Sequence, residues 1–97
     1  MGINQILVEF TGISRALTGR SEYMISLADT VEIKDVVRQI SRTFPKLVGE
    51  VIEPDGETLI PTNLFSLNGE QILSEEQLQF NTKDGDRLIL LSLLAGG

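Results

Sequence analysis

Ninety-seven residues, 41% of them hydrophobic and 23% charged, make one domain with a single modest core and no room for a second. A net charge of −6 argues against a binder of nucleic-acid backbones, which needs clustered Lys and Arg, and favours partners with basic clefts. Histidine and cysteine are both absent, which excludes disulfides, thiol catalysis, Cys/His zinc sites and every triad built on imidazole, and leaves carboxylates as the available acids and bases.

In chain order, Ile6, Val8 and Phe10 alternate with Leu7 and Glu9, and Tyr23, Ile25 and Leu27 alternate with Met24 and Ser26. Both are the period-two pattern of strands, and Thr11 to Ser21, bounded by Gly12 and Gly19, reads as the long loop of a hairpin with a short turn at Ala16-Leu17. Asp29 or Thr30 is placed to cap a helix with Glu32 in its first turn, and Asp29 with Glu32 has capping-box spacing. Ile33, Val36, Val37, Ile40 and Phe44 recur on one helical face, Lys34, Asp35, Arg38, Gln39 and Arg42 lie on the other, and Pro45 predicts that the helix ends at Phe44.

Leu47, Val48, Val51 and Ile52 form an irregular apolar segment before the turn signal Pro54-Asp55-Gly56. Leu59 and Ile60 lead to Pro61, which suits an edge strand. Leu64, Phe65 and Leu67 form a strand closed by Asn68-Gly69, while Ile72, Leu73, Leu78 and Phe80 are spaced as in a connection across the sheet edge. After the turn Asp84-Gly85-Asp86 comes the most hydrophobic run of the chain, Arg87 to Leu94. The order of elements is not the strict alternation of a parallel doubly wound fold, so the fold class is α+β: a mixed four- to five-stranded sheet with one main helix across one face. No stretch is long and apolar enough to span a membrane, and the polar opening around Asn4 and Gln5 is no secretory signal, so cytoplasmic residence is expected, with no nucleic acid and no membrane as partner.

The last strand ends at Ala95-Gly96-Gly97. At a glycine frequency of about 7%, two terminal glycines arise by chance in roughly 0.5% of chains. A frayed terminus is the plain alternative. Against it, the glycines follow directly on the most hydrophobic strand, so a mobile arm (94–97) is fixed to a rigid domain (1–93). Residues without Cβ can thread a narrow channel, and Ser92 to Gly97 extended spans about 20 Å at roughly 3.3 Å per residue. The free carboxylate of Gly97 is the expected reactive group, with Ala95 and Gly96 as its tail. If Leu88 and Leu90 face the helix, Ile89, Leu91 and Leu93 face the other way, and with Leu94 they form an expected partner-binding patch. A strand buried on both faces is the alternative.

Other constellations read as structure: Asp84 and Asp86 fall short of a calcium loop, Glu75-Glu76 is a solvated turn, and Arg15, Lys34, Arg38 and Arg42 serve solubility before partner contact.

Taken together, Phe10 with Arg15, Leu17 and Gly19, Thr30-Val31, Phe44-Pro45-Lys46-Leu47, Asp55-Gly56 with Pro61, Asn68-Gly69, Asp84-Gly85-Asp86 and Ala95-Gly96-Gly97 give a sequence that resembles the ubiquitin-like sulfur carriers (MoaD/ThiS) of the β-grasp fold. It is most similar to the small subunit of molybdopterin synthase. The resemblance implies a carrier and no enzyme, with no bound cofactor and no metal. An adenylating activating enzyme (MoeB/ThiF-like) would use ATP to adenylate the Gly97 carboxylate, and a sulfur donor would convert the acyl-adenylate to a thiocarboxylate. A large synthase subunit (MoaE-like) would then receive the tail, and the sulfur would pass to a pterin precursor of the molybdenum or tungsten cofactor. The chain departs from that pattern at Ser92-Leu93, where the molybdopterin subunits usually have two prolines. The Leu-rich approach is similar to that of the protein-modifying members, which join the same terminus to lysines, and a carrier for another pathway such as thiamine shares the tail.

Overall fold

The computed structural model describes residues 2–28, 31–74 and 80–93. Strands β1 (Ile3–Phe10) and β2 (Glu22–Ala28) pair antiparallel from Ile3↔Ala28 to Glu9↔Glu22, as their alternation predicts. Strand β7 (Arg87–Ser92) pairs parallel with β1 and antiparallel with β4 (Asn63–Leu67), and the short β5 (Gln71–Leu73) closes the far edge. The sheet is therefore mixed, in the order β2-β1-β7-β4-β5, with the last strand at its centre. A separate small ladder joins β3 (Val31–Glu32) to β6 (Asn81–Thr82), pinned by the buried Thr82 hydroxyl donating to the Val31 carbonyl at 2.8 Å.

Helix α2 (Ile33–Thr43) lays Ile33, Val36, Val37 and Ile40 against Ile6, Val8, Phe10, Ile25, Phe65, Leu88 and Leu90, all buried in one core. It stops at Phe44, as Pro45 requires, and the Phe44 ring stands edge-on to both Phe10 and Tyr23, with centroids 5.4 and 5.1 Å away. Its start differs from expectation. The N-cap is Glu32, whose backbone N–H donates to Asp35 Oδ2 at 3.0 Å, so Glu32 precedes the first turn and Asp35 takes the reciprocal role. Asp29 and Thr30 lie outside the described residues.

Three further expectations are corrected. The loop between β1 and β2 contains helix α1 (Gly12–Thr18) in place of a short turn. The Thr11 N–H donates to Ser14 Oγ at 3.1 Å, the Ser14 hydroxyl donates to the Thr11 carbonyl at 2.8 Å, and Gly19 ends the helix at φ 71°, a left-handed conformation in which a Cβ is strained. Pro61 lies in the turn ahead of β4, where its missing N–H costs no ladder bond, and not on an edge strand. Ile72 and Leu73, read as a connection, pair with Ser66 and Phe65 as strand β5; Leu78 lies outside the described residues.

The turns carry the polar chemistry their sequences announce. Asp55 accepts from Glu57 N–H at 2.8 Å and Thr58 N–H at 3.0 Å and from the Thr58 hydroxyl, and the Glu57 amide above all, with the Thr58 hydroxyl next, holds its carboxyl below the ordinary range. Asn68 and Gly69 both adopt positive φ, 56° and 71°, which matches the twist of a tight hairpin. Asp84 Oδ1 accepts from Gln5 N–H at 2.7 Å and Asp86 Oδ2 from Lys83 N–H at 2.8 Å, so both carboxylates are engaged in shaping the turn into β7. Glu75 and Glu76 lie outside the described residues.

Candidate functional site

Strand β7 separates its side chains as a half-covered central strand should. Leu88 and Leu90 are sealed in the core under α2, Ile89 and Leu91 on the opposite face are only half-buried, and Leu93 is 63% exposed. The alternative of a strand buried on both faces does not hold, because α2 covers one side of the sheet and no described element covers the other.

Register supplies the neighbours that a single strand's sequence could not reveal. On the outer face Ile89 stands between Glu9 on β1 and Ser66 on β4, Leu91 lies opposite Leu64, and Ile72 (54% exposed) follows Ser66 on β5. Toward the other edge come Leu7 and Met24 (49% exposed), paired across β1 and β2. Five strands thus contribute to one open face with an apolar band, and on the same face Arg87, the first residue of β7, pairs through Nε with Glu9 Oε2 at 2.9 Å. Leu7, Met24, Leu64 and Ile72 were not singled out from the sequence; their own alternation carried the signal, but only strand order assembles them around β7.

The end of β7 is fixed on two sides. The Thr11 hydroxyl donates to the Leu90 carbonyl at 2.6 Å, and Leu93 N–H donates to the Thr62 carbonyl at 2.7 Å. The residues expected to react and to lead into a partner, Leu94, Ala95, Gly96 and Gly97, lie outside the described residues. Of the expected site, Ile89, Leu91 and Leu93 therefore share one face, at the end of the strand that leads to Gly97.

Two of the basic residues on α2 are drawn into surface ion pairs: Lys34 with Glu32 at 3.7 Å, and Arg38 with Asp35 at 3.1 Å and Glu57 at 3.2 Å. Among the described residues, no group of three or more carboxylates is placed to hold a metal, and no helix is long and apolar enough to cross a membrane.

No protein-family model and no curated protein matches the sequence. Solved structures do. SAMP1 from Haloferax volcanii superposes with a TM-score of 0.81 at 20% identity, covering 97% of this chain and 100% of that one. A putative molybdopterin converting factor, subunit 1, from Pyrococcus furiosus gives 0.72 at 22%, covering 94% and 99%. A chain of the Amycolatopsis orientalis BexX/CysO complex gives 0.70 at 21%, covering 95% and 99%. The fold is a β-grasp. At these identities the likeness establishes the architecture, and the mixed five-stranded sheet with one main helix across one face corresponds to the sequence-based expectation, while the strand order and the central place of β7 come from the structure.

Proposed function

We propose that this β-grasp protein is a small carrier activated at its own C-terminus, with the Gly97 carboxylate as the reacting group and the catalytic machinery on its partners. The observation that carries the reading is the placement of β7. The sheet's central strand is held at Leu90 and Leu93 by Thr11 and Thr62, so the strand that precedes Ala95-Gly96-Gly97 in the sequence is a fixed platform with one open apolar face. A carboxylate is a poor acyl donor. In the proposed first step a Gly97 carboxylate oxygen attacks the α-phosphorus of ATP on an adenylating enzyme (MoeB/ThiF-like) and pyrophosphate leaves. In the second, the outer sulfur of a persulfide donor attacks the acyl carbon and AMP leaves. A thiol then attacks the donor's own sulfur in the resulting acyl disulfide, the S–S bond breaks, the donor is left as a disulfide with that thiol, and the thiocarboxylate leaves on Gly97.

The proposed destination of the sulfur is a pterin precursor bound by a large synthase subunit (MoaE-like), which makes this chain the small subunit of a molybdopterin synthase. The likeness to the Pyrococcus furiosus converting factor supports that reading. Conjugation of Gly97 to lysines is the second reading. It is favoured by Ser92-Leu93 in place of a proline pair and by the likeness to SAMP1, a protein described as a small archaeal modifier. Ile89, Leu91, Leu93 and Leu94 are proposed to seat the carrier on either kind of partner.

Mass spectrometry of the protein purified from its native cell tests both. A C-terminal oxygen replaced by sulfur, discharged by the large subunit with precursor, is the result expected of the carrier; adducts on lysines without small-molecule transfer select the modifier. Deleting Gly97 should abolish ATP-dependent activation and leave the fold intact, since terminal residues contribute little to stability. A truncated protein that still formed the adenylate would remove Gly97 from the mechanism.

A further inference from the structure

The two edges of the sheet are managed differently. Strand β5 has three residues, whereas β2 has seven, pairs with β1 in unbroken register and contains neither Lys nor Pro. Short length, bulges, lysines and prolines are the devices that usually block an open edge, and β2 uses none of them. The Phe10 N–H bond to the Ser21 carbonyl (2.9 Å) sets the phase of the ladder: Ser21, Tyr23, Ile25 and Leu27 turn their backbone groups to β1. Glu22, Met24, Ser26 and Ala28 therefore present theirs on the open edge. Among the described residues one of these groups has a partner: the Glu22 carbonyl accepts from the exposed Arg20 Nε at 3.3 Å.

We infer that β2 is the pairing edge for a second copy of this chain, joined antiparallel about a two-fold axis at Ile25. An antiparallel register centred on Ile25 sets Met24 opposite Ser26 of the second copy and Glu22 opposite its Ala28, so all four open residues pair, for about eight backbone hydrogen bonds once Arg20 releases Glu22. No charge then faces its own kind along the strand.

The helix above this edge has matching self-complementarity. A groove of about 200 Å³ between β2 and α2 is floored by Leu27, Ala28 and Val31, and α2 lines it with Asp35, Arg38, Gln39 and Arg42. Two such faces brought together antiparallel set Asp35 against Arg42 of the second copy and Arg38 against its Gln39, twice over. Arg38 is already held by Asp35 and Glu57, whereas Arg42 has no ion pair among the described residues, so Arg42 supplies the cation and Asp35 retains acceptor capacity for it. The order acid, base, amide, base along α2 is what an isologous contact requires. Pairing along this edge leaves the outer face of β7 uncovered.

Sedimentation equilibrium of the full chain across micromolar to millimolar concentration, with amide hydrogen exchange on the same samples, tests the inference. The expected result is a reversible dimer in which the Met24 and Ser26 amides slow as dimer forms. Arg42→Asp, which sets like charges against Asp35 twice, should weaken it about tenfold. Ser26→Pro removes an open-edge donor at a position where an edge strand tolerates proline, and should give a monomer with an unchanged circular dichroism spectrum. If Ser26→Pro does not fold, Arg42→Asp decides. A chain monomeric to about 1 mM, including one whose edge amides slow only on addition of an extended peptide, overturns the inference. So does a dimer whose Met24 and Ser26 amides exchange as fast as in the monomer, or one indifferent to Arg42→Asp.

Discussion

The two faces of β7 are built from nearly the same side chains and face opposite environments. Leu88 and Leu90 are sealed under α2, while Ile89 and Leu91, one residue away along the same strand, lie on a side that no described element covers. Hydrophobicity alone therefore does not locate the core of this molecule. What separates the faces is the single long helix, which can cover only one side of a five-stranded sheet. The surplus of leucine on the uncovered side is what makes that side a candidate docking surface.

The largest expected effect tests the covered face. Leu90→Asp places a carboxylate against Phe65, its cross-strand partner, within the core under α2, where no described basic group is placed to receive it. Loss of stability by about 4 kcal/mol or more is expected, because a buried unpaired charge adds its desolvation to the lost packing. Denaturant unfolding measures it. A variant that stayed folded with an unshifted midpoint would show that the faces are reversed.

Most of this was legible in the sequence, because the alternations at Ile6-Val8-Phe10 and Arg87 to Leu93 and the period of Ile33-Val36-Val37-Ile40 each report one element's own faces. Pro45 fixed the end of α2 for a local steric reason. What failed was either very short or non-local. Helix α1 has seven residues between two glycines, and its start depends on a reciprocal bond between Thr11 and Ser14 that looks like ordinary loop polarity. The cap of α2 was misplaced because Asp29-Glu32 and Glu32-Asp35 have the same spacing, and the pairing of Val31-Glu32 with Asn81-Thr82 occupies the residues just ahead of the helix. The outer-face partners Leu7, Met24, Leu64 and Ile72 needed the strand order, which places β7 parallel to β1 across most of the chain's length.

A smaller effect on stability, with a large one on association, is expected at the uncovered face. Leu91→Asp removes a half-buried contact with Leu64 and introduces a charge that water can reach, so the domain should lose about 1 kcal/mol, within the range of strand preferences. If the face seats the activating enzyme, affinity for that enzyme should fall by at least about 2 kcal/mol, as for a central interface residue. Titration calorimetry with Leu91→Asp and the original chain measures it. Equal affinity would move the docking surface elsewhere, and melting as severe as that of Leu90→Asp would erase the distinction between the faces.

The smallest effect sharpens the comparison by separating charge from apolar contact on the same face. Glu9 and Arg87 pair at 2.9 Å beside Ile89, with side chains 31% and 46% exposed. Water screens such a pair, and holding two long side chains together costs conformational entropy, so the double-mutant coupling of Glu9→Gln with Arg87→Gln should be about 0.2–1 kcal/mol and should shrink as salt is raised. A coupling well above that range in the free protein would mean that the outer face is covered and dry. On an activating enzyme the same pair would sit at the edge of the apolar band. Arg87→Gln should then change the association rate and its salt dependence more than the dissociation rate, whereas Leu91→Asp should act on dissociation. Stopped-flow association at two ionic strengths distinguishes them, and identical kinetic signatures from the two variants would mean that Arg87 is as buried in the complex as Leu91.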